Sequence, residues 1–257
     1  MLKTVLITGA NRGLGLGLLK HYLLLPSHTM IAAVRSPSHP TSVALKVLPT
    51  AADTRLIIVK IDAAVHADAF SAVQELKEKY GVKKLDVVIA NAGVSYVWPA
   101  IKDVKIEDME GHMRPNVYGV VSLFQATRAL LEQSAKEGTE PTFALMGSIA
   151  GCLVDQPSVP NAAYGPSKAA AQWLIVRMHT EETWLNAINL DPGWVQTDLG
   201  QAGAKGLGFE TAPTTVEESC NGMMVRLGET SRAAHGGKYV HWFGGEDEWK
   251  GCEHKQW

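Results

Sequence analysis

The chain has 257 residues, a formal net charge of −2 and a sequence pI near 6.5. This near-neutral balance gives no electrostatic reason to expect a nucleic-acid partner. With 46% hydrophobic and 19% charged residues, the composition is that of a globular protein and excludes a disordered one. The length suits one α/β domain, since such domains commonly reach about 250 residues.

The N-terminus and the cysteines indicate a cytoplasmic protein. The first apolar run ends at Gly9, which is too early for a signal peptide. No stretch approaches the roughly 20 apolar residues of a membrane helix. Cys152, Cys220 and Cys252 form no metal-binding pattern. We therefore expect reduced cysteines, no metal and no membrane association.

Short apolar segments rich in β-branched residues alternate with longer amphipathic segments. The predicted strands are Thr4–Thr8, Thr29–Val34, Leu56–Val59, Leu85–Ala90, Thr142–Met146, Ala187–Leu190 and Lys238–Val240. The predicted helices are Gly13–Leu25, Ala67–Tyr80, Met113–Leu131, Tyr164–Glu181 and Thr215–Glu229. This alternation predicts a single Rossmann-type α/β domain, a doubly wound parallel sheet of seven strands with helices on both faces.

The segment Thr197–Thr215 breaks the alternation, because it carries four glycines and few periodic apolar positions. Long segments of this kind are usually lids or disordered. Since it follows a predicted strand at the ligand-binding edge of the sheet, we expect a substrate lid. Phe209 within it, with Trp98 and Trp194, is a candidate wall for a flat substrate, although core packing is the simpler explanation for each ring.

The turn between the first strand and the first helix is rich in glycine. It includes Gly9, Asn11, Arg12, Gly13, Leu14 and Gly15. Such a turn lets the backbone approach a pyrophosphate, whose charge the helix N-terminus favours. A plain tight turn is the alternative, but the strand before it and the helix after it favour dinucleotide binding.

The end of the second strand distinguishes the two nicotinamide dinucleotides. An NAD site places an acidic residue about 20 residues past the glycines, whereas an NADP site places an arginine nearby. Arg35 takes that position, and Arg12 lies in the glycine loop. We expect both guanidinium groups to hold the 2′-phosphate of NADP(H). Two solvated surface arginines are the alternative.

Three further residues indicate catalysis when they are taken together. Tyr164 and Lys168 begin a predicted helix, and their separation places both on one helical face. Ser148 follows the strand Thr142–Met146 and so lies at the carboxyl edge of the sheet. Each residue alone has an ordinary structural explanation. Their combination with the glycine loop favours an active site.

These motifs resemble those of the short-chain dehydrogenases/reductases over nearly the whole chain. The resemblance also includes Asp62, Asn91-Ala92-Gly93, Asn116 and Pro192-Gly193, in the same order. Within the family, the stretches around Asn116 and Pro192 are similar to those of fungal ketoreductases. The resemblance implies NADPH-dependent reduction of a small-molecule ketone or aldehyde, with an aromatic or polyketide-type substrate favoured, by a homo-oligomer.

The resemblance also implies roles for single residues. Tyr164 donates a proton to the substrate oxygen, Lys168 and the oxidised cofactor lower its pKa, and Ser148 donates a hydrogen bond to the developing oxyanion. Asn116 holds a water that links Lys168 to solvent. The implied cofactor contacts, besides Tyr164, Lys168 and the glycine loop, are Asp62, Asn91, Ala92, Gly93, Pro192, Gly193, Val195 and Thr197.

Two other classes of function are alternatives. A sensor or scaffold would bind NADP without turnover, but such relatives typically lose the tyrosine or lysine that this chain keeps. Sugar-nucleotide epimerisation or dehydration on the same scaffold generally needs a larger C-terminal region than the roughly 60 residues that follow Thr197.

Overall fold

The computed structural model describes residues 3–154, 156 and 158–244. Their strands are β1 (Lys3–Thr8), β2 (His28–Val34), β3 (Arg55–Lys60), β4 (Val87–Ala90), β5 (Thr142–Met146), β6 (Asn186–Asp191) and β7 (Tyr239–His241). All pair in parallel, in the order β3-β2-β1-β4-β5-β6-β7. The predicted doubly wound sheet of seven strands is confirmed.

Helices cover both faces of this sheet. They are α1 (Gly13–Leu23), α2 (Pro40–Val43), α3 (His66–Glu78), α4 (Ile106–Met113), α5 (Gly119–Lys136), α6 (Tyr164–Glu181), α7 (Asp198–Gly206), α8 (Val216–Glu229) and α9 (Arg232–His235). Because neighbouring side chains of a strand point to opposite faces, Leu6 packs with α3, α5 and α6, whereas Val5 and Ile7 pack with α1 and α8.

The strand order reverses between β1 and β4, and this reversal positions the site. In open α/β sheets, ligands bind in the crevice beyond the carboxyl ends of the strands at such a point. Gly9 follows β1, Asn91 follows β4, Ser148 lies shortly after β5, and Asp191 ends β6. The fold therefore brings these four residues to one edge.

The predicted helix Met113–Leu131 is three elements in the structure. Helix α4 ends at Met113, a π-helical turn spans Arg114–Tyr118, and α5 follows. Pro115 lies in this turn and has no amide hydrogen to donate to a regular helix. The wider turn buries Asn116, which is 2% exposed.

The segment Thr197–Thr215 is not irregular, because α7 occupies its first half. The Thr197 hydroxyl caps this helix by accepting a hydrogen bond from the Gly200 amide at 3.0 Å. Glycines disfavour a helix, but a Cβ on Gly206 would lie 2.7 Å from two ring carbons of Trp98. Packing against this indole therefore leaves room only for glycine at this position of the helix, and the predicted lid stays a prediction.

The cysteines also differ from the expectation. Cys220 is a free, buried thiol, and burial raises its pKa to about 12. Cys152 is disulfide-bonded, and Cys252 lies outside the described residues. The expectation that all three cysteines are reduced is therefore wrong.

Within the described ranges, no helix combines the length and the apolar character that crossing a bilayer requires.

Candidate active site

The glycine loop forms a backbone cradle at the start of α1. Gly9 and Gly13 have positive φ angles of 64° and 52°, which favour glycine. A Cβ on Gly15 would lie 2.4 Å from the Gly9 carbonyl oxygen. Arg12 precedes α1 without making a side-chain cap, so the first amides of the helix remain suited to a phosphate group. The cradle fits the pyrophosphate of a dinucleotide.

Thr8 and Asn91 hold this cradle against the end of β4. The Asn91 side-chain amide donates to the Thr8 carbonyl at 2.8 Å. The Thr8 hydroxyl accepts hydrogen bonds from the backbone amides of Asn91 and Ala92 at 3.0 and 2.9 Å. In this structure the Asn91 side chain therefore braces the loop, and it brings Ala92 beside Gly9.

The opposite wall comes from the segment after β6. Gly193 has a φ angle of 77° and follows Pro192, whose carbonyl accepts from the Ser219 hydroxyl at 2.8 Å. Val195 is buried, and the methyl group of Thr197 would lie 3.3 Å from a Cβ on Gly13. The chain therefore crosses from the end of β6 to the glycine loop and closes the crevice.

The two arginines differ in their surroundings. The exposed Arg12 guanidinium lies 3.8 Å from the Asp198 carboxylate at the start of α7. Arg35 is exposed directly after β2 and makes no ion pair with a described residue. Arg35 is therefore the better placed of the two for an added phosphate.

Two further predicted contacts lie on the same side as Arg35. The Asn11 side chain donates to the Thr41 hydroxyl at 2.7 Å, which ties the glycine loop to the segment after β2. The half-buried Asp62 follows β3, and its carboxylate accepts from the Ala64 amide at 2.9 Å. Thr41 had no distinctive pattern in the sequence.

Close packing of α6 on the turn after β5 brings Ser148 to Tyr164. A Cβ on Gly151 would lie 2.7 Å from the Lys168 carbonyl carbon, so this turn rests on the helix backbone. The Gln172 side chain donates to the Ser148 carbonyl at 2.8 Å. The Tyr164 phenol is hydrogen-bonded to Ser148.

Lys168 lies beneath the Tyr164 ring. Its side chain is buried, its Nζ donates to the Met146 carbonyl at 2.9 Å, and it lies 5.6 Å from the ring centroid. Burial lowers the pKa of Lys168 to about 8, although the Asp191 carboxylate opposes this change.

Burial shifts the pKa of the Tyr164 phenol. Burial raises the pKa of Tyr164 to about 12; the hydrogen bond from Ser148 lowers it and the Asp191 charge raises it. Desolvation of the phenolate has the largest effect on this pKa, and the expected lowering by Lys168 together with the oxidised cofactor stays a prediction. At neutral pH the phenol is protonated, which is the state that a proton donor needs.

The Asn116 side chain is engaged with the protein. Its oxygen accepts from the Val94 amide at 2.8 Å, and its nitrogen donates to the Val94 carbonyl and to the Ser167 hydroxyl at 2.9 and 3.0 Å. The side-chain oxygen of Asn116 would lie 3.0 Å from a Cβ atom added to Gly93. The side chain is therefore a brace between the segment after β4 and α6, and the water that the resemblance implies at Asn116 stays a prediction.

A buried histidine that sequence reasoning missed contacts Tyr164. His112 is fully buried, and its Nδ1 lies 2.6 Å from the Asp108 carbonyl oxygen. Its ring stacks on Tyr96 at 4.2 Å and meets Tyr164 edge-on at 6.2 Å between centroids. The sequence does not predict this placement, because a single histidine on a helix forms no motif. The orientation of α4 depends on the π-helical turn that follows it.

Aromatic side chains gather beside α7. Trp194 donates from its indole nitrogen to the Gly200 carbonyl at 3.0 Å and meets Phe209 at 5.2 Å between centroids. Trp98 packs under Gly206 and donates to the Ser95 hydroxyl at 3.0 Å. The three rings predicted to line a substrate pocket thus all contact α7 or the residues that flank it.

Comparisons with known proteins agree with this site. The sequence model of the short chain dehydrogenase family matches residues 3–205. The chain is 38% identical to norsolorinic acid ketoreductase of Dothistroma septosporum over 92% of this chain and 88% of that one. It is 39% identical to norsolorinic acid ketoreductase of Aspergillus parasiticus over 95% and 90%.

A solved structure of a carbonyl reductase is also similar to this chain. The NADPH-bound carbonyl reductase from chicken fatty liver superposes with a TM-score of 0.81 at 28% identity, covering 94% of this chain and 96% of that one. The chain belongs to the short-chain dehydrogenases/reductases, a family of oxidoreductases.

Proposed function

We propose that the chain reduces the carbonyl group of a small-molecule ketone or aldehyde with NADPH. The observation that carries this proposal is the Tyr164 phenol, hydrogen-bonded to Ser148 and close to a buried Lys168, at the carboxyl edge of the sheet. When bound, NADPH supplies the hydride that this reduction requires.

The side chains have complementary roles in the proposed reaction. Ser148 and Tyr164 bind the carbonyl oxygen from one side, where a hydrogen bond stabilises developing negative charge. Tyr164 then donates its proton to that oxygen. The Lys168 ammonium stabilises the phenolate that remains, because a nearby positive charge favours the charged form of an acid. Asn116 holds the segment after β4 in place around this reaction.

Arg35 supports NADPH in preference to NADH. Its guanidinium follows β2 at the edge where the adenosine half would lie, and the described residues offer it no carboxylate partner. Planar guanidinium groups match phosphate geometry well. The chicken carbonyl reductase that this chain resembles is itself described as NADPH-bound.

An aromatic or polyketide-type ketone is the proposed substrate class. The two fungal relatives are norsolorinic acid ketoreductases, and large apolar side chains are exposed on the segments that follow β4 and β5. Leu153 and Val154 are 77% and 79% exposed, and Tyr96 is 47% exposed. A panel of aromatic ketones, quinones and aldehydes tests the class by consumption of NADPH; no turnover of any aromatic ketone would contradict it.

We also propose that Thr197–Thr215 acts as a substrate lid whose closed position depends on the contact between Gly206 and Trp98. A valine at 206 has no room, and overpacking of this kind costs about 1–3 kcal/mol. We expect Gly206→Val to raise KM for a bulky ketone roughly 10-fold. Gly228→Ala, where a Cβ meets nothing within 4 Å, is the matched control. Unchanged KM in the valine variant, measured by steady-state kinetics, would remove the case for a lid.

Assembly and location complete the proposal. We propose a cytoplasmic homo-oligomer that pairs through α5 and α6, because Trp173 on α6 is 63% exposed and large exposed apolar rings often mark subunit contacts. Light scattering should give a mass of two or four chains, and Trp173→Glu should lower it. A wild-type protein that is monomeric in solution would contradict the proposed assembly. A fluorescent fusion of the chain that is found outside the cytoplasm would contradict the proposed location.

A further inference from the structure

A buried carboxylate ends β6 directly behind the catalytic residues. Asp191 is 2% exposed, and its Oδ2 lies 3.0 Å from Nε2 of His241. Its Oδ1 accepts a hydrogen bond from the Gly193 amide at 3.2 Å. Burying a charge is costly unless it is paired and hydrogen-bonded. Together with a side-chain hydrogen bond between Tyr239 and Asp191, these contacts hold the carboxylate in one orientation.

The sheet register places Asp191 one residue beyond the partner of the strand residue that binds Lys168, and its charge acts on Lys168. Met146 and Leu190 are paired residues of β5 and β6, and Asp191 is the next residue of β6. Lys168 donates to the carbonyl of the same Met146. On the other side, Asp191 is paired with His241 on β7. Asp191 thus lies on the strand between β5, whose Met146 carbonyl binds Lys168, and β7, which carries His241.

The ionisable groups that face Asp191 come from two elements. Helix α6 contributes Tyr164 and Lys168, and β7 contributes Tyr239 and His241. The ring of Tyr239 also packs beside Gly147, since a Cβ there would lie 3.5 Å from it. Helix α8, which packs over this end of β6, adds the neutral hydroxyl of Ser219 on the Pro192 carbonyl.

We propose that Asp191 is a positioning residue that sets the pH range of carbonyl reduction by keeping a fixed negative charge behind Lys168 and Tyr164. His241, Tyr239 and the Gly193 amide orient this charge. The inference rests on the proposed reduction by Tyr164.

The sign of the effect follows from electrostatics. A negative charge favours the protonated forms of both neighbours, so Asp191 raises the pKa of Lys168 and of Tyr164. Reduction needs a protonated Tyr164 and a charged Lys168, and both are lost as the pH rises. Removing the carboxylate charge therefore moves the alkaline fall of activity to lower pH.

The test is the pH dependence of kcat for ketone reduction by wild type and Asp191→Asn, which is nearly isosteric and uncharged. We expect the alkaline limb of the variant to lie about half a pH unit or more below that of wild type. The affinity for NADPH, measured by protein fluorescence, should change by less than about 2-fold, because the cradle for the pyrophosphate is intact.

His241→Gln is the matched control, because glutamine retains a hydrogen-bond donor for Asp191 and the carboxylate charge remains. Its alkaline limb should stay with that of wild type. If Asp191→Asn does not fold, Asp191→Ser removes the same charge and keeps a hydroxyl that can accept from the Gly193 amide.

Two results would overturn the proposal. One is a folded, uncharged variant whose alkaline limb coincides with that of wild type; the other is loss of fold in both variants, which would make Asp191 a structural residue. A wild type without carbonyl reductase activity would instead refute the proposed function, so the two failures are distinguishable.

Discussion

Tyr164→Phe should lower kcat for ketone reduction by about 10²–10⁴-fold, the usual contribution of a positioned general acid. Phenylalanine keeps the ring, which meets His112 at 6.2 Å, but lacks the hydroxyl that is hydrogen-bonded to Ser148. The fold should therefore survive while proton donation is lost. Steady-state kinetics of NADPH consumption measures the effect.

The control for this change is a second tyrosine away from the site. Tyr22→Phe removes a hydroxyl from a residue that is 6% exposed in the core beneath α1, and its kcat should match that of wild type. NADPH affinity should be nearly unchanged in Tyr164→Phe. A variant at position 164 that kept more than about half of the wild-type kcat would show that Tyr164 is not the proton donor.

Arg35→Asp should raise KM for NADPH by an order of magnitude or more. A charge-assisted contact is worth roughly 1.5–3 kcal/mol, and the new carboxylate adds repulsion against the 2′-phosphate. NADH has no such phosphate, so its use should be unchanged or improved, since a carboxylate can accept from the ribose hydroxyl. The measurement is kcat/KM with each cofactor.

Two further variants sharpen this test. Lys77→Glu makes the same change in net charge on the exposed side of α3, and it should leave cofactor preference unaltered. Adding Arg12→Ala to Arg35→Asp should enlarge the loss only modestly, because Arg12 already faces the Asp198 carboxylate. Equal weakening of both cofactors by Arg35→Asp would make Arg35 an ordinary surface residue.

The strands and the catalytic helix were predictable because their signals are local. The apolar run Thr142–Met146 and the amphipathic pattern Tyr164–Glu181 coincide with β5 and α6 at both ends. Buried parallel strands need apolar side chains on both faces, and this requirement appears directly in the sequence. Gly9 and Gly15 were recognisable because the turn cannot close with a Cβ at Gly15.

The features that the sequence did not predict depend on contacts between residues that are far apart in the chain. Helix α7 forms despite its glycines because Gly206 lies on Trp98, more than a hundred residues earlier. The pair of Asp191 and His241 joins the ends of two strands, and the stretch that contains Asp191 gives no sign of the partner on β7. The balance of effects on the Tyr164 pKa likewise depends on burial, which composition and spacing do not reveal.

The central claim is that this chain transfers a hydride from NADPH to a carbonyl carbon. The most direct measurement uses purified protein, an aromatic ketone and NADPH carrying deuterium at the transferable position, with mass spectrometry of the product. We predict an alcohol that contains one deuterium, formed much more slowly by Tyr164→Phe. Binding of NADPH without formation of any labelled alcohol across the panel of ketones, quinones and aldehydes would contradict the claim.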